Sequence, residues 1–143
     1  MSDPELELTH RLEFSASHRL HDPARSDEEN RNLYGPCNNP HGHGHNYEVE
    51  VCVRGRVPAS GMILNLNILS RVMQEEIFEQ VDHKHLNHDV PFLEGRITTA
   101  ENLAIAFWDR LQPRLEEYRG CRLHRIRVCE SSNSWVDYSG PNR

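Results

Sequence analysis

His43-Gly44-His45-Asn46-Tyr47-Glu48-Val49-Glu50-Val51-Cys52-Val53 is the stretch that decides how this chain folds. His43, His45, Tyr47, Val49, Val51 and Val53 fall on one parity, and Glu48, Glu50 and the following Arg54 on the other. A period of two marks a half-buried β-strand, because successive side chains leave a strand on opposite faces. The two histidines therefore extend the strand's inner face. Toward the N-terminus, Leu8, His10, Leu12, Phe14, Ala16 and His18 repeat the alternation, so a second strand ends on His18. Between the strands, Arg19 to Gly42 is polar, rich in Asp, Asn, Pro and Gly, and without a sustained helical period. We read it as one long loop, a kind of segment that in compact domains tends to be functional or disordered. An antiparallel hairpin closed by this loop sets the end of the first strand beside the start of the second. His18 then approaches His43 and His45.

Toward the C-terminus, Met62 to Asn65 reads as a short apolar strand, and Leu69, Val72, Met73, Ile77 and Val81 follow at the spacing of an amphipathic helix. A second helix is predicted from Thr98 or Thr99, since Thr98 and Glu101 have the S/T-x-x-E form of a capping box. Its buried stripe is Leu103, Ala104, Phe107, Trp108, Leu111 and Leu115, with Pro113 expected to end or kink it. Ile126, Val128 and Glu130 share a face of a further strand, and Trp135 to Tyr138 supplies its closing partner. This order predicts an α+β domain with helices covering one face of an antiparallel sheet.

At 143 residues, the expectation is one domain over 1–143. No apolar run approaches the roughly 20 residues needed to cross a bilayer, and MSDPELELTH lacks the basic and apolar parts of a secretory signal. We expect a cytoplasmic protein with no membrane partner. Lys and Arg number 16 against 22 Asp and Glu, so the net charge of -6 offers no footprint for nucleic acid. Cys37, Cys52, Cys121 and Cys129 form no CxxC pair and are read as free thiols.

Imidazoles bind zinc well, and a catalytic site generally uses three protein ligands with a fourth position left open. His18, His43 and His45 meet that need, because an H-x-H pair points to one side of a strand. His41 shares their parity, so His41 with His43 is the alternative pair, and chance spacing of three ordinary histidines is the bland one. Cys37 in Gly35-Pro36-Cys37-Asn38-Asn39-Pro40 is read three ways: a proton-transfer group, a fourth metal ligand, or an idle loop thiol. Cys52 and Cys129 lie on the polar parity of their strands and are read as structural. Asp82 beside His83 is a carboxylate able to orient an imidazole, although adjacency alone does not make the bond, and His85 and His88 are read as solvated loop residues. Glu130 needs a partner if buried, either a salt bridge or the donor edge of a ligand.

FSASHRL (Phe14 to Leu20), SDEEN (Ser26 to Asn30), CNNP (Cys37 to Pro40), HGHNY (His43 to Tyr47), VDHKHLN (Val81 to Asn87) and AEN at the second helix, taken in this order and spacing, resemble the 6-pyruvoyltetrahydropterin synthase family from about Leu12 to Glu130. The resemblance implies a T-fold subunit whose sheets join into a β-barrel oligomer, commonly a homohexamer of two trimers with active sites between subunits. It implies conversion of 7,8-dihydroneopterin triphosphate to 6-pyruvoyltetrahydropterin with loss of triphosphate. Position by position it makes His18, His43 and His45 zinc ligands, Cys37 the catalytic thiol, Asp82 and His83 its relay, and Glu130 the pterin anchor, with Thr99 and Glu101 near the pterin edge. Ala100 departs from the family, where threonine is frequent. Arg19 and Lys84 are candidates for the triphosphate by proximity. The similar 6-carboxytetrahydropterin synthases share substrate and metal and carry a cysteine, three residues, then HGH, a string that Cys37 to His43 also satisfies; alignment on HGHNY instead leaves five residues between Cys37 and His43.

Overall fold

Strands β1 (Glu5–His18) and β2 (His43–Arg56) form the expected antiparallel hairpin in the computed structural model, which describes residues 4–141. Their register pairs Phe14 with Tyr47, Ala16 with His45 and His18 with His43. The alternation therefore delivers all three histidines to one end of one sheet face. β2 pairs on its other edge with β4 (Cys121–Ser131), which pairs with β5 (Ser134–Tyr138). A two-residue strand, β3 (Lys84–His85), lies parallel to the free edge of β1, giving the order β3-β1-β2-β4-β5. His85 is thus half-buried in the sheet rather than a solvated loop residue.

One face of this sheet is covered by helices. α2 (Leu66–Met73) runs through a π-helical turn (Gln74–Phe78) into the short α3 (Glu79–Val81), and α4 (Ala100–Leu115) packs beside it. Leu69, Val72, Met73 and Ile77 from the first meet Leu103, Phe107 and Leu111 from the second over Val49, Val51 and Ile126 of the sheet, all without exposed surface. Full burial of each such side chain contributes about 1.5–3 kcal/mol, so this layer fixes the sheet face that carries the histidines. The opposite face is polar. Arg11 pairs there with Glu48 and Glu50, and Arg127 with Asp137, over the buried free thiols of Cys52 and Cys129.

Four expectations are corrected. Arg19 to Gly42 is not all loop: it holds α1 (Asp27–Tyr34), capped by Ser26 and Glu29 in a full capping box, and a 3₁₀ turn at Gly35–Asn38. Met62 to Asn65 is not a strand; Leu64 turns inward and Asn65 caps α2 by accepting from the Asn67 amide at 2.8 Å. The cap of α4 is Thr99, whose hydroxyl accepts from the Asn102 amide at 3.3 Å, and Thr98 does not form a box with Glu101. Pro113 lies inside α4, which continues to Leu115: its missing N–H falls on the exposed side of the last turn, where water can satisfy the carbonyl left over.

Candidate metal centre

The ligand-capable atoms of His18, His43 and His45 lie within 4.8 Å of one another. His18 comes from the end of β1 and is 1% exposed. Its Nδ1 lies 2.8 Å from the Thr98 carbonyl, which can only accept, so Nδ1 carries the ring proton and Nε2 keeps its lone pair. An imidazole oriented this way by a carbonyl is the usual support of a metal ligand. His43 Nε2 is buried with no hydrogen-bond partner, and no carboxylate or lysine belongs to the cluster. Three imidazoles with one ring fixed by its outer nitrogen and one nitrogen left without a partner fit a metal ion. His41 is exposed on the preceding turn, outside the group. Gly42 makes the approach possible: at φ +77, a Cβ there would lie 2.8 Å from the His18 carbonyl oxygen.

Burial is the main cause that pushes His18 down to about 4; the Thr98 hydrogen bond opposes it, and the neighbouring His43 and His45 add to it. The ring is therefore neutral near pH 7, the form that binds metal. In metal-free protein the folded state resists a proton that the unfolded chain accepts below its ordinary pKa of 6.5. Stability is then complete above pH 6.5 and falls as the pH drops toward 4, by up to about 3 kcal/mol. Denaturant midpoints of the metal-free chain at pH 7, 5.5 and 4 should show this loss, and His18→Gln should reduce it. A pH dependence identical in the two proteins would refute the assignment to His18.

Tyr47 completes the floor of the site. Its ring stacks on Phe14 at 4.9 Å and lies 4.1 Å from the His45 ring, with no exposed surface. Its hydroxyl has no hydrogen-bond partner. Burial pushes the phenol up, and the Glu130 carboxylate and Cys37 thiol act in the same direction, so both groups bear on this hydroxyl. Glu130 follows Cys129, which is paired with Glu48, and so the register sets it across from Tyr47. An unsatisfied buried hydroxyl costs about 1–3 kcal/mol. Tyr47→Phe keeps the ring contacts and should leave the melting temperature of the metal-free chain unchanged or raise it by about 2–4 °C. A clear drop in a thermal melt would mean that the hydroxyl is satisfied.

Cys37 is half-buried in the 3₁₀ turn, and its carbonyl accepts from Leu20 N at 2.9 Å, two residues beyond His18. Asp82 and His83 do bond, Oδ2 to Nδ1 at 2.6 Å. Burial raises the Asp82 pKa, but the Ser15 amide and His83 outweigh it and hold the carboxyl below its ordinary value. The pair is clasped to the β1 edge, where Ser15 N donates to Asp82 Oδ1 and His83 N to Ser15 O. His83 has φ +58, and its side chain is 82% exposed with no hydrogen bond to Cys37 or the three histidines among the described residues. The structure thus gathers His18, His43, His45 and Tyr47, sets Cys37 and Glu130 near enough to act on the Tyr47 phenol, and leaves the Asp82–His83 pair at the sheet edge. Thr99 is occupied as a helix cap, and Glu101 is exposed on the first turn of α4. Tyr47 shares the strand face that the alternation already assigns to the histidines; Thr98 and Asn87 are the neighbours that sequence reasoning did not bring to the site.

A three-imidazole cluster at one end of a helix-backed, mostly antiparallel sheet defines a T-fold protein with a candidate metal centre. Residues 7–141 match the family described as 6-pyruvoyl tetrahydropterin synthase, and the chain belongs to that family. The 6-pyruvoyl tetrahydrobiopterin synthase of Homo sapiens is 47% identical over 135 residues, covering 94% of this chain and 91% of the human protein. The solved 6-pyruvoyl tetrahydropterin synthase of Caenorhabditis elegans superposes with a TM-score of 0.88 at 34% identity, covering 98% of this chain and 99% of that one. A putative 6-carboxy-5,6,7,8-tetrahydropterin synthase of Archaeoglobus fulgidus is 30% identical over 95 residues, 66% of this chain and 73% of that protein. No helix among the described residues is long and apolar enough to cross a membrane.

Proposed function

We propose that this chain is a zinc-dependent lyase that converts 7,8-dihydroneopterin triphosphate to 6-pyruvoyltetrahydropterin and triphosphate. The observation that carries this reading over a 6-carboxy product is the membership of the histidine cluster: His18, His43 and His45 converge while His41 stands exposed outside it. HGHNY is then the metal motif, with five residues between it and Cys37, and the shorter cysteine-to-HGH spacing is incidental. The extensive match to the human synthase supports the same choice.

His18, His43 and His45 would hold zinc, which when bound would supply Lewis acidity toward the oxygens of the substrate side chain and so acidify the neighbouring carbon-bound protons. Cys37 takes and returns a proton at those carbons. His83, oriented by Asp82, serves the second proton position. Glu130 accepts hydrogen bonds from the pterin amino group and ring nitrogen, with Thr99 and Glu101 at the pterin edge, and so fixes which carbons meet the thiol. The ring gains hydrogen from the side chain itself, so no nicotinamide or flavin is involved.

His83 projects from the sheet edge, unconnected to the cluster of its own chain, which supports a site completed between subunits. β3 and β5 also leave the sheet with two unpaired edges, which a closed assembly would pair. We expect a homohexamer of two trimers in sedimentation; a stable, fully active monomer would count against it. The reaction itself is tested by incubating the zinc-loaded protein with 7,8-dihydroneopterin triphosphate and identifying the pterin by mass. A pyruvoyl product with equimolar triphosphate is expected, and a carboxy product or none overturns the proposal.

A further inference from the structure

β3 ends at His85, but the alignment of this segment with β1 continues. Ser17 is the Cα partner of His85, and the same offset two residues on brings Arg19 to Asn87. There the Asn87 side chain takes the place of a strand neighbour. Arg19 N donates to Asn87 Oδ1 at 2.9 Å, and Asn87 Nδ2 donates to the Arg19 carbonyl at 2.8 Å. A backbone amide can only donate and a carbonyl can only accept, so this pair of bonds decides which end of the Asn87 amide is oxygen.

That orientation reaches the metal centre in two further steps. Asn87 Oδ1 has a second neighbour, the Thr98 hydroxyl at 3.1 Å, and an amide oxygen can only accept the hydroxyl proton. The Thr98 hydroxyl also lies 3.4 Å from His18 Nδ1, and the Thr98 carbonyl 2.8 Å from the same nitrogen. These two oxygens differ in what they demand of the ring. The carbonyl requires a proton on Nδ1, whereas a hydroxyl free to turn can donate to Nδ1 and leave the proton on Nε2. Thr98 has no exposed surface, so its hydroxyl is cut off from solvent. It has one proton to give, and Asn87 takes it.

We propose that Asn87 is a positioning residue that locks His18 in the Nδ1–H tautomer: by holding the Thr98 hydroxyl proton it leaves only acceptors at Nδ1 and keeps the Nε2 lone pair free for a metal. The proposal rests on His18 as a metal ligand, the reading given above. Without the lock, part of the metal-free protein points an N–H at the metal position, and that proton has to move before the ring can bind.

The test reads the tautomer in metal-free protein at pH 7 by nitrogen NMR of labelled histidine, because protonated and bare ring nitrogens have separate shifts. The His18 signals are assigned by their absence from His18→Gln. Wild type should show Nδ1–H alone, and a substantial Nε2–H population there overturns the proposal with no further variant needed. Asn87→Leu keeps the size of the side chain and removes the acceptor, so the Nε2–H form should appear and zinc affinity should fall about tenfold to a hundredfold. A folded Asn87→Leu with the wild-type tautomer and zinc affinity refutes the lock. Asn87→Asp gives up the bond to the Arg19 carbonyl but keeps an acceptor for the Thr98 hydroxyl, and should retain the wild-type tautomer. Thr98→Val removes the hydroxyl and keeps the carbonyl. Added to Asn87→Leu, it should restore Nδ1–H and most of the zinc affinity, a non-additivity that loss of a structural clasp does not produce. A double variant as poor as Asn87→Leu makes Asn87 a clasp on the chain and nothing more. Neither readout involves pterin, so absence of turnover leaves this result standing, and failure of the lock leaves the reaction and its three imidazoles in place.

Discussion

His43→Ala and His45→Ala are each expected to reduce zinc from one per subunit toward none, whereas His41→Ala should keep its zinc. Removing an outer-shell partner of a metal ligand typically costs about ten- to a hundredfold in affinity, and loss of a direct ligand should exceed that. The stability of the metal-free proteins separates this from misfolding. His43 Nε2 is buried without a protein partner among the described residues, so its ring adds a desolvation cost that a bound metal relieves. Metal-free His43→Ala should therefore melt no lower than metal-free wild type. Zinc at a thousandfold excess over its Kd should stabilise the wild type by about 4 kcal/mol and the two variants hardly at all. Equal zinc loss in His41→Ala would reject this ligand set in favour of the His41–His43 alternative.

The hairpin that carries the metal centre was legible because a strand writes its burial into sequence with a period of two, and fourteen paired positions leave one register that buries Phe14, Tyr47, Val49 and Val51 together. What escaped lacks a periodic burial signal. α1 has no apolar stripe, its only apolar residues being Leu33 and Tyr34 in the last turn, and it buries only Asn30, so helical periodicity had nothing to report, although Ser26-Asp27-Glu28-Glu29 spells the capping box that the structure forms. β3 is two residues long, too short for any period, and is defined by its place against Ala16 and Ser17. Met62 to Asn65 is apolar without a strand partner, and composition alone does not distinguish the two cases.

Thr98 shows the same limit at the site. Its spacing from Glu101 suits a helix cap, but a contact across 80 residues commits its carbonyl to His18, and the hydroxyl goes to Asn87. The capping task passes to Thr99. Likewise the parity of His43, His45 and Tyr47 was visible, whereas the influence of Glu130 and Cys37 on the Tyr47 phenol depends on how β4 and the 3₁₀ turn dock. Ligands that lie on paired strands can be read from a sequence; the residues that orient them come from wherever the chain returns.

Cys37→Ala is expected to retain zinc and pterin binding while losing about a hundredfold to ten-thousandfold in turnover, the range for removal of a general acid or base. Two features make the separation clean. The turn that holds Cys37 is secured by its backbone carbonyl and by the Asn38 amide, neither of which the substitution removes. Cys37 is also absent from the group whose ligand atoms lie within 4.8 Å of one another, so three imidazoles, rather than three and a thiolate, define the metal set. Had the thiol closed a four-ligand structural site, zinc affinity and melting temperature would fall together, because structural metal binding contributes directly to folding. Zinc stoichiometry, melting temperature and triphosphate release measured on this one variant decide between the two. Zinc loss with undiminished turnover per bound metal would make Cys37 a ligand and assign the proton transfer to another group; retained zinc with turnover lost leaves the thiol as the group that moves the proton.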